Sequence, residues 1–490
     1  MTFRHLLAVI CALYVVGLSL QNAGAESPPD PLFVERDILG WKVTIDRAAL
    51  QQQPEVTAQG LEHLRQQLFQ ITLVLPEKNV AELRRVPIWL GHGQARLGIA
   101  FHPQRRWLID HGYLPPPHRS QIGIQSSRMY LHESLRQPWL AFHELCHGFD
   151  WFTIGRLGQY GNAMKAERYK AAMESGKYQS ALHWDSRKRK PYHATNHMEF
   201  FAETSEAFFG TNDIYPFVRA ELRDHDPETF RMLSELWSVD LARETERERE
   251  LVDLLSRAPA VSLDEGEPSP PKVTAKVRGP HTKNYRAAEL EGWQVYFHRG
   301  LTEDPEQLKN LQERVRRDLH YARRYLPASA VASLRTVPIW VKPQSKSSAF
   351  VTYHASRRWL RKNGHEPWLA GAIEIGDAKA YQQHFCRQPS ILLHALACAF
   401  HHQVLGYDNA QVRSLVQQAQ ESGKFDSVLR FDGKRVPHPG LQHEQRMFAE
   451  LSETVYGTND HYPFVKAELK YVSPEIAKAV AELWQAKTPR

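Results

Sequence analysis

The 490-residue chain is written twice. Gly40-Trp41-Lys42-Val43 returns as Gly292-Trp293-Gln294-Val295, and Val86-Pro87-Ile88-Trp89 as Val337-Pro338-Ile339-Trp340. Arg105-Arg106-Trp107-Leu108 returns as Arg357-Arg358-Trp359-Leu360, and Arg136-Gln137-Pro138 as Arg387-Gln388-Pro389. Gly210-Thr211-Asn212-Asp213 with Tyr215-Pro216-Phe217 returns as Gly457-Thr458-Asn459-Asp460 with Tyr462-Pro463-Phe464. A period near 250 residues is far too long for a solenoid, so one domain is duplicated. Length alone suggests about three domains. The repeat instead divides the chain into spans of 197 residues (Trp41–Trp237) and 192 residues (Trp293–Trp484). The expected boundaries are 31–257 for the first copy, 258–284 for a Pro/Ser/charged linker and 285–490 for the second copy.

Both copies carry the same coarse order. A short strand at the Gly-Trp precedes a long amphipathic helix, Val56 to Leu75 and Pro305 to Tyr325, and a second strand carries Val-Pro-Ile-Trp. Gly98 to His102 and Gln121 to Gln125 are further strand candidates, and helices dominate after Pro138 and Pro389. A small mixed sheet followed by helices is an α+β layout. Residues 121–125 read either as a sheet edge bordering a cleft, with Gly123 admitting an added strand, or as an ordinary inner strand.

Ahead of the repeat, Leu6 to Leu20 is almost wholly apolar, and Ala23-Gly24-Ala25 offers a small-x-small cleavage pattern. Residues 1–25 therefore read as a signal peptide, with export after cleavage near Ala25 and no membrane span in the mature chain. Aromatic content (12 Trp, 18 Tyr, 21 Phe) excludes a disordered chain. The net charge of +7 is mild for this length, so no nucleic-acid partner is expected. Cys146, Cys386 and Cys398 remain after cleavage; they make no disulfide scaffold, although a Cys386–Cys398 bridge is conceivable.

The sharpest local signal is His143-Glu144-Leu145-Cys146-His147. Trp139, Phe142, Cys146 and Phe149 recur at helical spacing, so the segment reads as a buried helix. Residues four apart lie one above the other on a helix; His143 and His147 can share one Zn²⁺ while Glu144 polarises the water on the metal. Two core histidines are the plain alternative. Downstream, Glu199, Glu203 and Glu206 fall on one helical stripe, and three like charges so placed ask for a cation. A zinc ligand at Glu199, with Glu203 as the outer carboxylate accepting from a ligand histidine, answers that demand. The competing reading makes Asn196 an N-cap and Glu199 its solvated capping-box partner. Asp150 is either a further outer partner or a helix-end carboxylate.

The second copy is an internal control. It places His394 at His143, Ala395 at Glu144, Cys398 at His147, Pro439 at Tyr192 and Arg446 at Glu199, while Glu450 and Glu453 keep the places of Glu203 and Glu206. Only Glu199 disappears together with the base and a histidine, which favours it over Glu203 as the third ligand. Arg446, four residues before Glu450, can supply the positive charge a metal supplies in the first copy. The second copy reads as non-catalytic.

The run from His143 to Asp150, H-E-x-x-H-x-x-D, followed by Y-x-x-T-N-x-x-E-F-F-A-E from Tyr192 to Glu203, resembles the zinc-peptidase domain of anthrax toxin lethal factor and its relatives. The likeness spans Trp139 to Asp213, about 15% of the chain. It implies two tandem zincin-like domains, each with an active-site helix and a mainly helical C-terminal half. It also implies zinc on His143, His147 and Glu199, with Glu144 as general base and Tyr192 assisting the oxyanion. Cys146 departs from the small residue usual in that motif, and the basic run Arg187 to Lys190 departs in the intervening loop. The expected function is that of an exported zinc endopeptidase acting on a protein or peptide substrate, its second lobe giving support or substrate capture. The competing class is a non-catalytic extracellular binding protein built on the same fold. His193 and His197 read as exposed groups flanking Glu199. His394, Cys398 and His401 are a remote candidate for a replacement site.

Overall fold

In the computed structural model, residues 32–93, 98–110, 121–155, 160–256, 280–344 and 350–486 are described. The expected signal peptide and the linker up to residue 279 lie outside them. The first lobe opens with strands β1 (Phe33–Ile38) and β2 (Trp41–Asp46), joined through Leu39 and Gly40 at φ +55° and +89°. Two consecutive positive φ values make the tight turn that suits strand twist, and glycine tolerates the second at no steric cost. Arg84 closes over this turn, its Nε donating to Leu39 O at 2.9 Å. Trp41 is fully buried with Nε1 donating to Leu83 O at 3.1 Å, so the repeated Gly-Trp phrase is a turn plus a core anchor.

Helix α1 (Pro54–Val74) starts on a proline, as a first-turn position allows, and buries Leu61, Leu64, Leu68 and Ile71. Strands β3 (Ile88–Leu90), β4 (Ile99–His102) and β5 (Gln121–Ile124) complete a five-stranded sheet of order β1-β2-β3-β5-β4. Pairing is antiparallel for β1/β2 and β4/β5, parallel for β2/β3 and β3/β5. Residues 121–124 are thus an inner strand, and the sheet edge is β4. The helical half follows: α2 (Leu140–Phe149), α3 (His197–Phe209), α4 (Arg219–His225) and α5 (Leu241–Ser256).

The second lobe repeats this plan. Strands β6 (Tyr285–Leu290), β7 (Trp293–His298), β8 (Ile339–Val341), β9 (Val351–Tyr353) and β10 (Ile373–Ile375) form a sheet of order β9-β10-β8-β7-β6 with the same parallel and antiparallel pairs. Helices α6 (Pro305–Tyr325), α7 (Ile391–Phe400), α8 (Glu444–Tyr456) and α9 (Lys466–Val472) stand where α1, α2, α3 and α4 stand in the first lobe. The architecture is α+β. Trp237 stacks on Phe149 with centroids 4.2 Å apart, and Trp484 stacks on Phe400 at 4.3 Å.

The lobes interlock about a pseudo-twofold axis. Thr211 and Thr458, equivalent by sequence, share a hydrogen bond of 2.7 Å, and Phe217, Val218, Phe464 and Val465 form one small core across the axis. Phe385 packs into the first lobe's core, while Leu251 of α5 is buried in the second lobe's. The boundary near residue 257 therefore falls after a helix that belongs to both lobes. All three described cysteines are free, so Cys386 and Cys398 are not bridged.

Candidate metal centre

Helix α2 is buried along all ten of its residues, which an apolar run such as Leu140-Ala141-Phe142 sustains. Its first turn leaves backbone N–H groups without helical partners. Gln67 of α1 answers one, its Oε1 accepting from Ala141 N at 2.8 Å. Helix α3 is capped by Asn196, whose Oδ1 accepts from Met198 N at 2.9 Å and Glu199 N at 3.0 Å. Asn196 thus serves as N-cap, but the Glu199 carboxylate meets the two histidines and makes no capping box, so only the N-cap half of the competing reading holds. The helix stops at Gly210, where a Cβ would overlap the Trp139 indole.

The two helices bring His143, His147 and Glu199 together as a group that could hold a metal ion. His143 Nε2 lies 3.2 Å from His147 Nε2 and 3.2 Å from Glu199 Oε2, and His147 Nε2 lies 3.4 Å from that same oxygen. Behind this face, His143 Nδ1–H donates to Glu206 Oε1 at 2.7 Å, and Gln137 Nε2 donates to the same oxygen at 2.6 Å. This fixes the ring so that His143 Nε2 faces the cluster. Burial opposes a charge on His143, but hydrogen bonds to Glu199 and Glu206 outweigh it and hold its pKa well above the usual imidazole value. Glu199 is the converse: burial would raise its pKa, and the two histidines bring it far down.

The outer carboxylate is therefore Glu206, not Glu203. Seven residues on from Glu199 return almost to the same helical azimuth, about 20° away, whereas four residues overshoot by about 40°. Glu203 stays close to His143 and Glu206, but burial and the neighbouring Asp213 carboxylate push its pKa well up; Asp213 itself is pushed up to about 7 by burial and the charge of Glu206. Asp150 is also not a partner of the histidines. It is completely buried against Lys165 Nζ and accepts from Gly161 N at 2.8 Å, tying down the chain that follows α2.

Glu144 is buried beside the cluster, and its Oε2 accepts from Phe101 N on the edge strand β4 at 2.5 Å. Burial raises its pKa against the pull of His143, His147 and that N–H. Tyr192 stands at the rim, 54% exposed, its hydroxyl 3.4 Å from Glu199 Oε1. Gln137, Phe101 N–H and Tyr160 were not legible as site neighbours. Tyr160 has its pKa raised by burial and by the charges of Asp150, Glu144 and Glu199. His193, expected to be exposed, is fully buried against Tyr178 and Phe200.

In the second lobe, His394 Nδ1 still meets Glu453 Oε1 at 2.7 Å, and Arg446 Nε reaches Glu450 Oε1 at 3.3 Å, as the alignment led us to expect. His401 is turned into the aromatic core against Phe448 and joins no site with His394. The groups Glu62–Glu291–His320 and Glu450–Asp460–His461 are also close enough to hold a cation. Arginines already neutralise them: Arg65 on Glu62, Arg323 on Glu291 and Arg446 on Glu450. Among the described residues no lysine or arginine pairs with Glu199.

No family model matches the chain, and comparison with curated proteins and with solved structures finds no match. None of the described helices is long and apolar enough to cross a membrane.

Proposed function

We propose that the chain is an exported zinc-dependent endopeptidase of the zincin class, with its active site in the first lobe and a non-catalytic second lobe. One observation carries the reading. Three atoms able to bind a metal, His143 Nε2, His147 Nε2 and Glu199 Oε2, converge within 3.2–3.4 Å of one another. The corners of a tetrahedron with bonds of about 2.0–2.1 Å lie roughly 3.3 Å apart, so these atoms suit three corners of a zinc site that leaves the fourth open. A closed structural site needs a fourth protein ligand, and Cys146 is buried on the other side of α2 against Ser205.

Bound there, zinc supplies a Lewis acid for the scissile carbonyl and lowers the pKa of a water toward neutrality. The chain's own residues do the remainder. Glu144 has Oε2 held by the Phe101 N–H, which leaves Oε1 to accept a proton and return it to the leaving amine. Its raised pKa brings it closer to the working range of a general base. Tyr192 holds a hydroxyl proton at the rim, available to an oxyanion. Strand β4 is the free sheet edge beside the site, and an extended peptide adds to such an edge through its backbone.

The test compares zinc content and peptide cleavage in the wild type and in Glu144→Gln. The variant is expected to keep one zinc per chain and lose about 10²–10⁴-fold in kcat. Wild-type protein that holds stoichiometric zinc but cleaves nothing in a broad peptide library would sink the enzyme reading.

A further inference from the structure

The pseudo-twofold axis gives the molecule two equivalent grooves between its lobes, and the chain fills one of them with α5. Glu244 Oε2 of α5 pairs with Arg387 Nη2 at 2.6 Å, and Glu248 Oε2 with Arg223 Nη1 at 3.2 Å. Arg219, half-buried near them, feels both carboxylates. One turn on, Leu251 is completely buried, and Val252, Leu254 and Leu255 pack with it on the second lobe's core. Two carboxylates four residues apart, followed by leucines, thus form the face that this groove accepts.

The other groove is a cavity of about 520 Å³ lined by the equivalent positions. Arg136 stands where Arg387 stands, Lys466 and Lys470 where Arg219 and Arg223 stand, and Trp184 where Phe431 stands. Among the described residues no helix lies in it, and no carboxylate pairs with Arg136, Lys466 or Lys470. The exposures record the difference. Arg387 and Phe431 are 4% and 7% exposed, whereas Arg136 is exposed, Trp184 is 40% and Leu135 is 46% exposed. Arg136 lies over the Trp184 ring at 4.9 Å instead of meeting an anion. Lys466 packs over Tyr456 at 5.9 Å, one helical turn before Lys470 on α9.

We infer that this open groove docks an acidic amphipathic helix of a partner protein, taking two carboxylates spaced i, i+4 on Arg136 and Lys470 and apolar side chains on Trp184, Leu135 and Tyr325. The helix that fills the sister groove supplies the shape of the occupant, and the three unpaired cations supply its charge. The surface combines exposed aromatic area with a basic rim, the composition found where one partner's anchor residues enter. The inference does not depend on the peptidase reading, since none of these residues lies in the metal site.

The probe is a fluorescein-labelled peptide carrying residues 238–257 of this chain, titrated with the full-length protein and followed by anisotropy. Saturable binding that falls as salt rises is expected, weakened roughly tenfold or more by Arg136→Glu and by Lys466→Glu with Lys470→Glu. All three positions are exposed, so these variants are expected to match the wild type in melting temperature. A peptide with Glu244→Lys and Glu248→Lys should bind the charge-reversed protein better than it binds the wild type. The inference is overturned by absent saturable binding, by binding indifferent to the three cations, or by binding lost on Arg387→Glu and kept on Arg136→Glu. A concentration-dependent dimer in sedimentation, dissolved by the same charge reversals, would overturn it in favour of a second copy of this chain.

Discussion

Replacing Glu206 by Gln tests the metal centre from behind, without touching a ligand. Glu206 is fully buried and accepts from His143 Nδ1 at 2.7 Å and Gln137 Nε2 at 2.6 Å. The carboxamide keeps an oxygen for the imidazole N–H and loses only the charge. With about 2 Å across the ring and about 2 Å to an ion, that charge sits roughly 7 Å from the metal, where a unit charge is worth ~2.4 kcal/mol at an effective permittivity near 20. A divalent ion doubles the figure, and the amide dipole and solvent return part of it. The expectation is a 10–100-fold loss of zinc affinity, about 1.4–2.8 kcal/mol.

Glu453→Gln is the matched control, because His394 and Glu453 repeat the same 2.7 Å contact in the lobe without the metal face. Both substitutions alter a fully buried carboxylate that accepts from a helix histidine, so a structural effect strikes both lobes and a metal effect only the first. The assay is competition with a chromophoric chelator, with bound zinc counted per chain. The reasoning fails if Glu206→Gln keeps wild-type zinc affinity within twofold, or if Glu453→Gln weakens it equally.

Three further outcomes follow from the same contacts. Glu221 and Glu468 meet across the pseudo-twofold axis, both buried; burial raises both pKa values, and for Glu468 the Glu221 carboxylate raises it further. The folded state therefore keeps a proton that the unfolded chain releases above about pH 4.5, and stability falls as pH rises toward the folded value, by ~1.4 kcal/mol per pH unit per proton. Glu468→Gln should match the wild type near pH 4.5 and exceed it increasingly toward neutrality in urea melts; an unchanged pH slope refutes the pair. Gly210→Ala drives a methyl into the Trp139 indole at the head of α2, and should cost at least about 1–3 kcal/mol by chemical denaturation. Zinc at about 100 times its Kd should raise stability by ~2.7 kcal/mol, and a chelator should return the melting temperature to the metal-free value; calorimetry with no such shift would place the ion elsewhere.

The duplication, the α+β class and the long helices were legible because they rest on local pattern. The α1 and α6 segments declare themselves by 3.6-residue periodicity and a proline at the first turn. Sheet order was not legible. Both 99–102 and 121–124 are short apolar strands, and only the long-range pairing of Ile122 with Ile88 on one side and Phe101 on the other makes the second an inner strand. The tie of the Glu144 carboxylate to Phe101 N–H depends on that order, so it was hidden too. Glu206 stood in the right stripe but lost its role to Glu203, since a sequence stripe does not say which turn of α3 faces the back of the His143 ring. His193 was misplaced because tyrosine and phenylalanine from distant segments cover it, a tertiary effect invisible to local polarity.

The second lobe keeps the buried scaffold of the site while replacing its metal face. Ala395 stands at the place of Glu144 and Cys398 at that of His147, and Arg446 neutralises Glu450. The His394–Glu453 pair and the Trp484 anchor persist because losing either leaves a buried polar group or a void. Retention of the lobe has a further physical reason. Trp139, which heads the helix carrying His143 and His147, packs on Phe385 of the second lobe at 6.5 Å between centroids. Helix α1, whose Gln67 caps that same helix, is held from behind by α6 through Arg317 on Gln70 and the buried His63–His320 contact. Removing the second lobe would expose Trp139 and α1 to water and free the first turn of α2. Functional-site geometry tolerates shifts of only about 0.5 Å in its supporting groups, so the copy that lacks the His143–His147–Glu199 cluster still fixes the position of the copy that has it.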